Sequence, residues 1–194
     1  MIPDAGQISA ALAGAFRLLR FDASGFRFFD VSMDGFWRSF FAAVVILPGY
    51  ILLVALRLED AELANPLFRI AAVEFIGYVI GWAAFPLVMA HLSNAFGGAE
   101  RYPGYIVAYN WFSAPQVTVL LAVAVLREAQ LFPEAMATGL SLGAVLYLMA
   151  VQWFVARRAL DVHPAVALGV VALDMVISLF LSAVTAAMLA RAGV

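Results

Sequence analysis

Cysteine and lysine are both missing from this sequence, and charged residues of any kind are scarce. Without cysteine, the chain has no disulfide bonds, thiolate metal sites or cysteine nucleophiles. All eleven basic residues are arginines that occur singly or in pairs, so there is no basic patch of the kind that binds a phosphate backbone. With a net charge of −2, the chain is not expected to bind nucleic acid.

Hydrophobic side chains dominate what remains. They make up 65% of the 194 residues, against 12% charged residues, and the mean hydropathy is +0.99. Soluble domains contain roughly 45–50% apolar and about 25% charged residues, so a water-soluble fold of this length could not bury so much apolar side chain. We therefore predict an integral membrane protein. Its arginine-only, alanine-rich composition is typical of GC-rich bacteria, which predicts the inner membrane.

Five apolar stretches are long enough to cross a bilayer, whose core of about 30 Å needs about 20 helical residues. They are apolar nearly all round, whereas a helix of a soluble core would carry a polar face. The sequence thus predicts an all-α, polytopic helical membrane bundle, in which residues 36–194 form a five-helix transmembrane domain. The predicted spans are residues 36–56, 67–92, 105–126, 136–156 and 164–189.

Residues 1–35 form a separate N-terminal segment of different character. Apolar residues recur there at helical spacing, with Gln7, Arg17 and Arg20 on the other side, which predicts an amphipathic helix lying in the membrane interface. The apolar face comprises Ile8, Ala11, Leu12, Ala15, Phe16 and Leu19. Because Asp4, Gln7 and Arg17 interrupt any apolar core, this segment does not resemble a cleaved signal peptide, and we expect it to be retained.

The arginines are distributed unevenly between the two sides of the predicted bundle. Seven would lie on the side of the N-terminus and four on the other, which predicts a cytoplasmic N-terminus. Aromatic and charged residues also alternate through residues 21–38 on that side. They are typical of aromatic anchoring in the interface, and a docking surface for a partner protein is the alternative.

Two carboxyl groups fall within predicted spans, Glu74 and Asp174. An ionisable group inside a bilayer is costly enough to be a functional-site hypothesis by default, and no arginine is expected at a depth that would neutralise either one. Gln116 falls at about the depth of Asp174, and Asn110 lies in the same polar span. These residues predict a buried polar cluster that either relays protons or joins helices by hydrogen bonds.

The fifth span carries Asp174, Ser178, Ser182 and Thr185 on one stripe of the helix, and such a stripe must face protein or water. Glycine pairs at small-xxx-small spacing occur in two other spans. Gly77 and Gly81 are in the second span, and Gly139 and Gly143 are in the fourth. They predict close helix packing within the chain or, alternatively, a homo-oligomer.

Motifs of catalysis and cofactor binding are not found in this sequence. His91 and His163 have no neighbours at metal-ligand spacing, and neither a nucleophile motif nor a phosphate-binding glycine loop is present. We therefore predict that the protein is not an enzyme and binds neither a metal nor a cofactor.

Residues 91–115 read HLSNAFGGAERYPGYIVAYNWFSAP. A helix that ends in a Gly-Gly turn, followed by a tyrosine-containing run ending in proline, resembles the pattern of Yip-type membrane proteins. That family has five spans and a cytoplasmic N-terminal segment, and its eukaryotic members are associated with Rab GTPases. The chain departs from the family in its short N-terminal segment and in lacking an acidic-aromatic Gly-Pro motif before the first span.

Two functional hypotheses follow. The resemblance implies a non-enzymatic membrane scaffold or adaptor that works through contacts with the lipid bilayer and a membrane-protein partner. The intramembrane carboxyls instead favour a small proton-coupled transporter or permease component, in which Glu74 and Asp174 exchange protons around a site lined by Asn110 and Gln116.

Overall fold

In a computed structural model that describes residues 2–58 and 65–190, all of the regular secondary structure is helical. Two short 3₁₀ helices, Ala23–Phe28 and Ala99–Arg101, accompany seven α-helices in these residues. The α-helices are α1 (Ala5–Leu19), α2 (Met33–Ser39), α3 (Ala42–Arg57), α4 (Leu67–Ala95), α5 (Tyr102–Glu128), α6 (Glu134–Leu160) and α7 (Pro164–Ala190).

The prediction of an all-α membrane bundle with five spans, preceded by a shorter apolar helix, is confirmed. Within the described residues, five helical segments are long and apolar enough to cross a bilayer. The protein is an integral membrane protein. Most of the predicted bounds were slightly too narrow, because the helices continue into polar ends. Arg157 and Arg158, for example, lie in the last turn of α6, where long side chains can reach the interface.

The first span is not one uninterrupted helix, as predicted from residue 36 onwards, but α2 and α3 joined by a turn at Phe40 and Phe41. The Ser39 hydroxyl donates to the Phe36 carbonyl at 2.7 Å and accepts a hydrogen bond from Asn110 Nδ2 at 2.8 Å. A serine hydroxyl bonded to nearby backbone competes with the regular helical ladder, which accounts for the break at this residue.

Proline marks the start of the last four spans. Pro66 and Pro133 are the residues before α4 and α6, Pro103 lies in the first turn of α5, and Pro164 opens α7. Proline fits the first helical turn because its fixed φ suits the helix and its missing N–H would have no partner there. Helix α1 instead begins with a capping box, in which Asp4 and Gln7 bond each other's backbone N–H groups.

The bundle is packed unevenly along its length. Helix α5 is central and contacts α1, α2, α3 and α6, while α4 pairs with α7. The main core lies at the end of the bundle that carries α1, and its fully buried large side chains include Phe85, Met89, Ile106, Phe112, Val151 and Leu160. At the opposite end, where α3 terminates at Arg57, the described residues form a small cluster of Ile70, Val73 and Leu189.

Helix α1 packs against α5 and, less extensively, against α6. Its buried face differs from the predicted one, since Gly14 and Leu18 are buried whereas the Phe16 side chain is 41% exposed. The reason is a close contact with the 3₁₀ helix that follows, because a Cβ placed on Gly25 would lie 2.5 Å from the Gly14 carbonyl oxygen. Only glycine allows the backbones to approach this closely.

Polar contacts order the aromatic segment between α1 and α2. Arg38 forms an ion pair with Asp30 at 2.9 Å, and the guanidinium of Arg17 lies over the Phe28 ring. Hydrogen bonds from the side chain and backbone of Ser32, with the nearby Arg38 charge, hold the pKa of Asp30 below its ordinary value. These contacts fix the entry of the chain into the first span.

We expect Gly25→Ala to lower the free energy of unfolding by about 1–3 kcal/mol, because the new methyl group would meet rigid backbone. Unfolding in mixed detergent micelles measures this loss. Gly143→Ala is the matched control, since a Cβ at Gly143 meets none of the described atoms within 4 Å. Equal stabilities of the two variants would contradict the close packing of α1 on the 3₁₀ helix.

Candidate functional site

A cavity of about 300 Å³ lies between α3, α4, α5 and α7. It is open rather than enclosed, and it occupies the loosely packed part of the bundle. Its polar lining comprises Tyr50, Arg57, Tyr78, Tyr109, Ser113, Gln116, Asp174, Ser178, Ser182 and Thr185. A concave site with a few converging polar groups is the usual form of a small-molecule site.

Asp174 is the carboxyl group of this cavity. It lies ten residues after the first residue of α7, or about 15 Å along the helix. The Tyr109 hydroxyl donates to Oδ1 at 2.7 Å, and Gln152 Nε2 donates to Oδ2 at 3.1 Å. Among the described residues no cationic side chain forms an ion pair with it. Asp174 is therefore held by neutral donors, and balancing its charge requires a proton or a bound cation.

Aromatic rings pack around Tyr109, the tyrosine that binds Asp174. The Phe85 ring stacks on Tyr109 with centroids 4.5 Å apart, and Tyr105 meets Phe85 edge to face. Phe85 is only 1% exposed and is not among the residues that line the cavity. The lining of the cavity extends from Tyr109 and Asp174 to Arg57 and Thr185.

Three of the five residues proposed as a polar cluster line this cavity together, namely Gln116, Asp174 and Ser178. Ser178 and Ser182 are exposed, and both lie on the stripe of α7 that faces the cavity. Asn110 does not belong with them. It lies on the face of α5 that meets α2, where it is fully buried and bonded to Ser39, so its predicted place beside Gln116 was wrong.

Glu74 is also placed differently from the prediction. Its two carboxylate oxygens each accept a hydrogen bond from Arg57 at 2.8 Å, and the Tyr50 hydroxyl donates to it at 3.0 Å. The expectation that no arginine lies at its depth was wrong, because the last residue of α3 is level with the second turn of α4. Glu74 is thus already neutralised and is absent from the lining of the cavity in the described structure.

The two glycine pairs have different surroundings. Gly77 and Gly81 face α7, where a Cβ on Gly77 would lie 2.7 Å from Thr185 Cγ2 and one on Gly81 would lie 3.9 Å from Leu181. This contact brings α4 against α7 at the wall of the cavity. Within the described structure, a Cβ at Gly139 or Gly143 meets no atom within 4 Å, so this pair makes no close helix contact inside the chain.

A second, apolar groove of about 590 Å³ runs between α3 and α4. Leu47, Val54, Ala71 and Phe75 are among the side chains that line it, and Glu74 is its only charged group in the described residues. Tyr50 and Tyr78 line both the groove and the cavity. Their rings lie 4.5 Å apart and form the partition between the two spaces.

Sequence reasoning missed Tyr50, Arg57, Tyr109 and Gln152 as site residues. Gln152 is an amide inside the fourth span, and the rule that selected polar side chains within the spans would have selected it too. Tyr109 precedes Ser113 and Gln116 by four and seven residues, a spacing that places all three on one helix face. No local pattern signals that Arg57 turns back toward Glu74.

No family model matches this chain, and no curated protein and no solved structure matches it either. The resemblance to Yip-type proteins therefore stays a prediction based on residues 91–115.

Removing Arg57 and removing Glu74 from their ion pair should lower stability by different amounts. We expect Arg57→Met to lower the free energy of unfolding by about 3–5 kcal/mol, because it leaves a buried carboxylate without its cation. Glu74→Met should cost less, since the Arg57 side chain is 49% exposed and can turn toward the interface. Chemical unfolding in micelles measures both variants.

The double variant Arg57→Met with Glu74→Met completes this cycle. It removes both charges, so we expect it to be more stable than Arg57→Met alone. Additive losses in the two single variants would show that the two side chains do not interact.

Proposed function

We propose that this protein is a small membrane transporter or permease component, which carries a solute through the cavity and uses Asp174 as its proton- or cation-binding group. The observation that carries the proposal is the position of Asp174, a carboxyl without a cationic partner in the described structure, in the lining of an open polar cavity. A scaffold that acts through its surface has no need for such a group at depth.

The chemistry of exchange follows from charge. A carboxylate in low dielectric is costly unless its charge is balanced. If a proton and a cationic solute compete for Asp174, release of one allows binding of the other, and neither step leaves an unbalanced charge. Tyr109 and Gln152 hold the carboxyl toward the cavity in both states, because each donates a hydrogen bond that keeps its orientation.

The roles of the two carboxyls therefore differ in this proposal. Glu74 was expected to share proton handling with Asp174, but its ion pair with Arg57 gives it a structural role in joining α3 to α4. Asp174 alone exchanges protons. Gln116, Ser113 and Ser178 supply neutral hydrogen-bonding groups along the path.

A Yip-type scaffold or adaptor is the second candidate, and the exposed surface near α2 favours it. Trp37 is 65% exposed, Met33 58% and Val31 60%, so apolar groups project from the α1 end of the bundle. Aromatic side chains of this kind either anchor a protein in the interface or contact a partner.

We further propose the bacterial inner membrane as the location, with the α1 end in the cytoplasm. Seven arginines belong to that end in the chain order of the five spans: Arg17, Arg20, Arg27, Arg38, Arg101, Arg157 and Arg158. Four arginines are assigned to the other side, and an excess of arginine on one side of the bundle is typical of the cytoplasmic side. The cavity then opens away from the cytoplasm.

Proton flux into liposomes tests the transport proposal. We expect the purified protein, reconstituted in liposomes that are loaded with tetramethylammonium as the exchangeable cation and placed in a pH gradient, with potassium and valinomycin to compensate charge, to acidify an internal dye faster than protein-free liposomes. Asp174→Asn should reduce the flux to the protein-free level, because the amide cannot exchange a proton. Asp174→Glu should retain part of it.

Glu74→Gln is the matched control, since it makes the same chemical change at the other intramembrane carboxyl. It should keep the flux per folded molecule while lowering stability. Flux equal to that of protein-free liposomes in the parent protein would refute transport and leave the scaffold candidate. Equal losses in Asp174→Asn and Glu74→Gln would refute the assignment of Asp174.

A further inference from the structure

The apolar groove between α3 and α4 continues into the wall of the polar cavity. Tyr50 and Tyr78 line both spaces and are the partition between them. An occupant of the groove therefore lies one side chain away from the cavity that contains Asp174. Such an arrangement suits a molecule with two chemically different ends.

The groove itself suits the apolar end of such a molecule. Extensive packing between α3 and α4 is missing from the described structure, and the two helices are joined instead by polar contacts. These contacts run from Tyr50 and Arg57 to Glu74, and from the Tyr78 hydroxyl to the Ala43 carbonyl at 2.6 Å. The groove lies between two spans, so an acyl chain can enter it sideways from the bilayer.

The cavity suits the other end of the molecule, if that end is cationic. Arg57 adds no net charge to its lining because both of its contacts to Glu74 measure 2.8 Å. Asp174 is thus the unbalanced group of the lining. Tyr78 and Trp82 also line the cavity with their rings 6.1 Å apart, and a carboxylate near aromatic faces is the set of groups that binds ammonium ions.

We propose that the ligand of this site is an amphiphilic ammonium compound that enters from the bilayer, with its head at Asp174 and its chain in the α3–α4 groove. Movement of the Tyr50 and Tyr78 rings admits the head to the cavity. The inference rests on the proposed function, because it names the class of cation that Asp174 exchanges for a proton.

Binding to the full chain in bilayer discs tests this proposal. Phosphatidylglycerol discs are suitable because that lipid has no ammonium group. We expect labelled decyltrimethylammonium to bind to one saturable site, about tenfold or more tighter than tetramethylammonium, which has the same head without the chain. Asp174→Asn should weaken both probes about tenfold or more. Decyl sulfate, with an anionic head, should not compete.

A groove-filling variant separates the chain from the head. Ala71→Phe places a ring in the groove and should weaken decyltrimethylammonium about fivefold or more while leaving tetramethylammonium unchanged. Ala183→Phe is the matched control, because Ala183 is exposed on α7 and lines neither space. Its affinity for both probes should equal that of the parent protein.

The outcomes distinguish the two proposals. If tetramethylammonium binds as tightly as the decyl compound in an Asp174-dependent manner, the amphiphile is refuted and a small-cation site stands. Decyltrimethylammonium binding that is unchanged in Asp174→Asn or in Ala71→Phe also refutes the amphiphile. The proton-flux measurement reports on transport by itself, so absent flux with intact Asp174-dependent binding would refute transport alone.

Discussion

The cost of leaving a polar group unpaired in hydrocarbon governs this structure. A bilayer offers no water to a buried carboxyl, so each one must find its partners within the chain. Glu74 does so through a full ion pair with Arg57 and a hydrogen bond from Tyr50. Asp174 receives the neutral donors Tyr109 and Gln152 and, among the described residues, no cationic one. The charge of Glu74 is therefore balanced within the chain, and its role is structural. The charge of Asp174 is left for a proton or a bound cation to balance.

Uneven packing complements this difference between the carboxyls. The α1 end is a closely packed core around α5, in which large side chains such as Phe85 and Phe112 are 1% exposed. Among the described residues, the other end is held by the approach of Gly77 to Thr185 and by hydrogen bonds from Asn65 and Arg69 to the last carbonyls of α7. The closely packed α1 end of the bundle thus supports the more open end. Asp174 lies at the boundary, where the closely packed end fixes its position and the more open end gives access to it.

Sequence alone predicted the spans, because hydropathy over about 20 residues is a local property. The stripe from Asp174 to Thr185 was also predictable, since helical periodicity places its members on one face. The separation of Asn110 from Gln116 could have been predicted as well, because six residues at 100° each turn the helix through about 240°. The Arg57–Glu74 pair and the break at Ser39 could not, since each depends on which helices are neighbours. Ser39 meets a residue 71 positions away. Likewise, the glycine motif permits close approach but does not determine which pair makes it. In the described part of the chain, a Cβ on Gly77 meets a neighbouring side chain, and one on Gly143 meets nothing within 4 Å.

The order in which the partners occur along the chain has a consequence for biogenesis. Arg57 and Tyr50 precede Glu74, and Tyr109 and Gln152 precede Asp174, so a ribosome makes each acid only after the groups that receive it. Glu74 can be matched as soon as the first helical hairpin leaves the translocon. Asp174 is synthesised last, when its donors Tyr109 and Gln152 are already in the bilayer. Neither carboxyl therefore has to remain in the bilayer without hydrogen-bond donors while the rest of the polypeptide is synthesised.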